Sequence, residues 1–103
     1  MIIPDCYSMM CGIGIAHTSL NSFDRALFNA GIGDLNLITL SSILPPGAEY
    51  CEQYNIPAGA VTYVAMAVKT SDDQGELISA AIAAAIPADP EEPGVQMEGC
   101  FNF

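Results

Sequence analysis

The sequence predicts an α+β fold built as a single domain over residues 1–103. Three observations carry this. One strongly amphipathic helix signal lies near the N-terminus, short β-branched or alternating segments follow it, and Pro- and Gly-rich breaks separate them. At 103 residues the chain is one domain long, and small enough that much of its surface stays wet when it folds alone. Association with further chains is therefore expected.

The helix is predicted over residues 18–33, "TSLNSFDRALFNAGIG". Thr18 or Ser19 can cap its start, Leu20, Phe23, Leu27 and Ala30 repeat on one face, and Gly31 or Gly33 can end it. Asn21 and Asp24 then fall on or beside the rim of that face. The segment "LNLITLSSI" alternates and is β-branched, which predicts a strand from about Leu35 to Ile43, stopped by Pro45-Pro46-Gly47. Residues 60–70, "AVTYVAMAVKT", predict a second strand closed by the polar turn "SDDQG". In "GELISAAIAAAIP" the isoleucines 78, 82 and 86 recur every four residues, which suits a helix face and one face of a strand alike, and alanine propensity by itself favours helix. Three prolines make "PADPEEPG" a loop. "VQMEGCF" alternates again as a last short strand with Gln96, Glu98 and Cys100 on one face.

Composition excludes several function classes. Twelve acids stand against Arg25 and Lys69, a formal charge of −10, and this argues against nucleic acid, whose binding depends on Lys and Arg displacing counterions from phosphate. A cationic small molecule is the partner such a field attracts; most of the acids, Asp72-Asp73 and Glu91-Glu92 among them, read simply as solvated surface. Cysteines 6, 11, 51 and 100 form no C-x-x-C pair and His17 is the single histidine, so no metal site is expected. His17 reads as a surface or interface residue. No Lys or Arg precedes the mildly apolar start, which argues against a secretory signal, and the apolar run around 77–86 is too short to span a bilayer. A soluble cytoplasmic protein with reduced thiols, and no membrane partner, is the expectation.

Two motifs bear on chemistry. "CGIGIAHTSL" places G-x-G ahead of a helix, but the third glycine and a second βαβ unit with a ribose-binding acid are missing, so a dinucleotide site is rejected. No G-x-S-x-G supplies a nucleophile elbow for a Ser-His-Asp hydrolase. Ser41-Ser42, in "TLSSILPPG", needs less. A hydroxyl beside a polarised carbonyl is enough for self-cleavage. Ser42 Oγ attacks the Ser41 carbonyl and turns the amide into an ester, and elimination then frees chain 1–41 and leaves dehydroalanine at 42. Hydrolysis of the latter gives a pyruvoyl group and ammonia. A ketone bonded to the protein in this way condenses with a substrate amine and accepts the electrons released when carbon dioxide leaves. Two incidental serines at a strand end are the plain alternative reading of the pair.

The wider sequence bears on that choice. "LNSFDRALFNAGIGDLNLITLSSILPPGAEY", followed by "SDDQGELISAAIAAAIP" and "GVQMEG", closely resembles the pyruvoyl-dependent arginine decarboxylase family from about Gly12 to Gly99, in order and spacing, and the block "NAGIG-x-x-NL…SSILPP" is specific. The resemblance implies cleavage between Ser41 and Ser42 into chains 1–41 and 42–103, with Ser42 becoming the covalent pyruvoyl cofactor. It implies that Asn36 polarises the processing carbonyl or holds the pyruvoyl, and that Glu98 donates the proton after decarboxylation. Asp24, Gly33, Leu35 and Ser41 are implied to bind the substrate, arginine, with Asp24 pairing its guanidinium; the product is agmatine. It further implies an αββα sandwich with a mixed sheet and helices on the outer faces, in which "GELISAAIAAAIP" is a strand, and a homo-trimer or dimer of trimers with active sites at the interfaces.

The physical reading adds conditions. Six residues separate Asn36 from Ser42, roughly 20 Å in an extended strand, so the two meet only if the chain bends sharply or the contact runs between subunits. Glu98 in an alternating apolar strand is expected to be buried, and burial raises a carboxyl's pKa toward the protonated form a donor needs. Related chains continue past this glutamate with a charged helical segment, so a sheet face is expected to stand open here. The competing function is a non-catalytic, unprocessed relic or subunit of an oligomeric complex, in which Ser42 is inert.

Overall fold

In chain order the elements are β1 (Cys6–Tyr7), α1 (Ser19–Asn29), β2 (Asn36–Thr39), β3 (Ile43–Leu44), β4 (Glu49–Tyr50), β5 (Val61–Val64), β6 (Ile78–Ala85) and β7 (Gly94–Asn102), in a computed structural model that describes residues 1–52 and 55–102. The class is α+β, as the sequence predicts. The strands form three small sheets: β1 with β4 in parallel, β2 with β5 in parallel, and an antiparallel β3-β7-β6.

Helix α1 is bounded as its sequence dictates. Thr18 takes an extended conformation and its Oγ1 accepts the Asn21 N–H at 3.1 Å. At the other end Gly31 adopts φ +84°, its N–H donates to the Phe28 carbonyl and the Ile32 N–H reaches back to Leu27 at 3.0 Å, the paired bonds of a Schellman stop. Of the predicted stripe Phe23, Leu27 and Ala30 are half-buried and Leu20 is exposed, while the backbone of residues 12–14 lies over Ser22, Ala26 and Ala30. This is where the G-x-G pair is spent. A Cβ on Gly12 would sit 2.7 Å from the Ala30 nitrogen, one on Gly14 would strike the Ser22 carbonyl, and the strap is pinned by Asn29 Nδ2 donating to the Ile13 carbonyl at 2.6 Å. Gly14→Ala should therefore cost about 1–3 kcal/mol through overpacking, read as a lower denaturation midpoint; an unchanged midpoint would show that the strap does not lie on the helix.

The predicted strand over 35–43 is interrupted. Residues 36–39 pair with 61–64, Leu40 N–H extends the ladder to the Val64 carbonyl at 2.7 Å, and the chain then leaves this sheet and enters β3 of the next. β5 is likewise shorter than its 60–70 signal, because beyond Val64 its partner has turned away. The alanine-rich segment is a strand: eight residues of β6 pair with β7 from Ile78 opposite Asn102 to Ala85 opposite Val95, and this continuous ladder outweighs alanine's helical preference. Gln96, Glu98 and Cys100 share one face with Ala84, Ile82 and Ala80, as the alternation predicts. On the opposite face Val95, Met97 and Phe101 stand beside Ala85, Ala83 and Ser79, and Met97 and Phe101 are 68% and 59% exposed.

Apolar burial is thin. Leu44, at 4% exposure, is the single fully buried hydrophobic residue described, and α1 makes no extensive contact with any strand. The accessible surface of 7797 Å² compares with about 5,500 Å² for a compact monomer of this mass. Large apolar side chains, among them Ile13, Ile15, Phe28 and Met97, contribute to that exposed surface.

Candidate active site

The crossover between sheets determines where reactive groups collect. β2 leaves its ladder at Leu40 and β3 begins at Ile43, so Ser41 and Ser42 form the bridge between them, exposed and outside any ladder bond but one. That bond is the Gln96 N–H donating to the Ser42 carbonyl at 2.8 Å. A cleft of about 180 Å³ opens beside the bridge. Thr39, Leu40, Ser41 and Ser42 form one wall, Ala65 and Met66, just past β5, another, and Ile82, Gln96 and Glu98 of the β6–β7 face supply the floor. A second cleft, of about 160 Å³, lies at the far end of β3 between Leu44, the prolines and Ile86; it carries Asp89 and Glu92 but no hydroxyl or thiol.

The structure thus brings together three of the sequence-predicted residues: Ser41, Ser42 and Glu98. Glu98 is exposed rather than buried, although Ala65 and Met66 line the same cleft and, further along this face, Cys100 Sγ donates to the Val68 carbonyl at 3.1 Å. Four others lie elsewhere. Asn36 opens β2 with its Nδ2 donating to the Gly59 carbonyl at 2.7 Å, Leu35 is half-buried just before it, Gly33 passes so close to Phe28 that a Cβ would lie 2.8 Å from its Cα, and Asp24 is exposed on α1. Asn36 does not reach Ser42 within this chain, in keeping with the separation along an extended strand. His17 is exposed, and no group of three His, Cys, Asp or Glu side chains among the described residues is placed to hold a metal.

The chemistry open to such a cleft is narrow: a hydroxyl next to an exposed peptide bond, an apolar wall, and one carboxyl group within the same cavity. Residues 6–100 match the family described as pyruvoyl-dependent arginine decarboxylase. The chain belongs to that family. Among its relatives is a pyruvoyl-dependent arginine decarboxylase of Methanocaldococcus jannaschii, 47% identical over 96 residues covering 93% of this chain and 58% of the relative. One from Methanococcus aeolicus is 46% identical over 95 residues, 92% of this chain and 58% of the relative, and one from Methanothermobacter thermautotrophicus is 39% identical over 89 residues, 86% and 59%. The chain therefore spans under three-fifths of the length of these relatives.

In a pyruvoyl-dependent family the prosthetic group is a protein-bound ketone. Three residues of the cleft carry no role in the sequence reading. Met66 and Ile82 give it an apolar side; Met66 reads from sequence as a strand residue, and Ile82 as part of a repeat that suits helix and strand alike. Gln96 lies directly against Ser42; alternation puts it on the Glu98 face, but nothing in the sequence shows which strand pairs beside it.

Proposed function

We propose that this chain cleaves itself between Ser41 and Ser42 and acts as a pyruvoyl-dependent arginine decarboxylase. The observation that carries the reading is the meeting of the Ser41-Ser42 bridge and Glu98 in one cleft at the sheet crossover. Cleavage begins as Ser42 Oγ bonds to the Ser41 carbonyl carbon and the C–N bond breaks, with the hydroxyl proton passing to the Ser42 nitrogen. Elimination then breaks the new ester, giving the Ser41 carboxylate, and one water converts residue 42 to a ketone with release of ammonia. When formed, this ketone supplies the electron sink for loss of carbon dioxide from an amino acid. Glu98 holds the proton that returns to the substrate carbon, Met66 and Ile82 keep water from that carbon, and Ser41 binds the substrate at its α-end.

The remaining residues reach the cleft from a neighbouring subunit. Asn36 and Asp24 lie outside the cleft of their own chain, so a homo-trimer, or a dimer of trimers, would supply Asn36 to the ketone and Asp24, Gly33 and Leu35 to the arginine side chain. The surface excess is the physical motive for such an assembly, which would also cover Glu98 and complete an αββα sandwich with helices outside. Residues 1–103 act as one domain in this reading, in the cytoplasm, where the thiols stay reduced and arginine is at hand. A second reading, a non-catalytic subunit that stays uncut, is favoured by the thin core. Intact mass spectrometry of the assembled protein separates them: two chains, 1–41 and a larger 42–103 chain lighter by one ammonia than simple hydrolysis would leave it, support the enzyme, and one uncut chain supports the subunit.

Topology adds an expectation. β1 and β2 both lie before the cut, and each pairs with a strand after it, β4 and β5. The two fragments should elute together in native size exclusion and part only in denaturant. Separation without denaturant would contradict the strand pairing.

A further inference from the structure

Gln96 is the cleft residue to which the self-cleavage reading gives no task, and the register sets it nearest Ser42. β3 and β7 pair with Ile43 opposite Val95 and Leu44 opposite Gly94, so one step back puts Ser42 opposite Gln96, and the 2.8 Å bond from the Gln96 N–H to the Ser42 carbonyl closes that step. Directly opposed residues of an antiparallel pair send their side chains to the same face with Cβ atoms about 4.5–5.5 Å apart, and diagonal neighbours stand about 7–8 Å apart. Glu98 is thus a diagonal neighbour of Ser42, and Gln96 its immediate one. On its other side Gln96 faces Ala84, whose small side chain leaves the carboxamide room to turn toward the serine. Gln96 is half-buried whereas Ser42 is exposed, so the more constrained side chain stands beside the freer one.

An exposed serine distributes its Oγ over three rotamers, and attack on the preceding carbonyl needs one of them. A neutral carboxamide accepts a hydrogen bond from a hydroxyl without taking its proton. We propose that Gln96 is a positioning residue for Ser42: its main-chain N–H fixes the Ser42 carbonyl, and its side-chain oxygen accepts the Ser42 hydroxyl and turns Oγ toward the Ser41 carbonyl carbon. The inference rests on the self-cleavage reading. The proton still passes to the Ser42 nitrogen as the C–N bond breaks, so Gln96 sets geometry and exchanges no proton.

The test follows the appearance of the two fragments with time after synthesis of the full chain. Gln96→Leu keeps the main-chain N–H and the volume but removes the acceptor, and should slow cleavage roughly tenfold, the worth of one hydrogen bond. Gln96→Glu restores an acceptor of the same length and should bring the rate back toward that of the unaltered chain; a role in packing alone would be served by leucine and not rescued by glutamate. Gln96→Met serves in place of leucine if the latter fails to assemble. Cleavage of the leucine or methionine chain at the unaltered rate, or equal slowing in the glutamate chain, overturns the role of Gln96 and leaves self-cleavage standing. An unaltered chain that stays whole overturns both.

Discussion

Ser42→Ala should yield a single uncut chain with no release of carbon dioxide from carboxyl-labelled arginine. The substitution removes one oxygen from an exposed residue and leaves its main chain untouched, so folding and the Gln96 bond to the residue-42 carbonyl persist. Stability should shift within about 0.5 kcal/mol, the range for an exposed substitution. Chemistry, in contrast, loses its only route, because alanine can neither form the ester nor eliminate to dehydroalanine. Denaturing gel and intact mass give the first readout, labelled gas the second. An alanine chain that still splits at 41–42 would place the nucleophile elsewhere. One that stays whole yet decarboxylates would show that the ketone is not made from residue 42.

Glu98→Gln should separate making the group from using it. The side chain sits in the cleft, diagonal to Ser42, and is not a partner in the bonds that break during cleavage. Glutamine keeps the size and a hydrogen-bonding end but has no proton to give to carbon. Fragments should therefore form as in the unaltered chain, while turnover falls by about 10²–10⁴, the usual worth of a general acid. If the fall lies in kcat with KM little changed, Glu98 acts in the transition state; a rise in KM alone would make it a binding residue. Co-expression with Asp24→Ala extends the test. In randomly mixed trimers about a quarter of the interfaces would pair an intact Asp24 with an intact Glu98 on the neighbouring chain, and activity should return to that level only if the two residues come from different subunits.

Local chemistry was the most legible part of this fold. Thr18 as a cap, Gly31 as a stop and Pro45-Pro46 as a strand end act within a few residues of themselves, so neighbouring identities suffice to read them. The alanine-rich strand was less so: its four-residue spacing fits two structures, and family resemblance rather than its own residues resolved it in favour of the sheet seen with β7. Pairing between distant strands was not legible. Nothing near Ser42 shows that Gln96 stands opposite it, since that contact spans 54 positions and depends on where the chain leaves one sheet for another. The use of the G-x-G pair as a slot for backbone against helix is likewise not legible in the sequence and appears only once residues 12–14 lie on α1. Exposure of Glu98 escaped prediction for a related reason: alternation tells which face a residue takes, not whether anything covers it.

Under the proposed cleavage, the parallel pairs β1–β4 and β2–β5 would make the chain's maturation a one-way passage. While residues 41 and 42 are joined, each pair forms by closing a tether, whose entropic cost grows only slowly with length. Once the join is broken the same partners must find each other from separate molecules, and the high local concentration of a tethered partner is gone. Material unfolded after scission should renature slowly, in proportion to the product of the two fragment concentrations, whereas the unbroken precursor renatures at a rate that dilution leaves untouched.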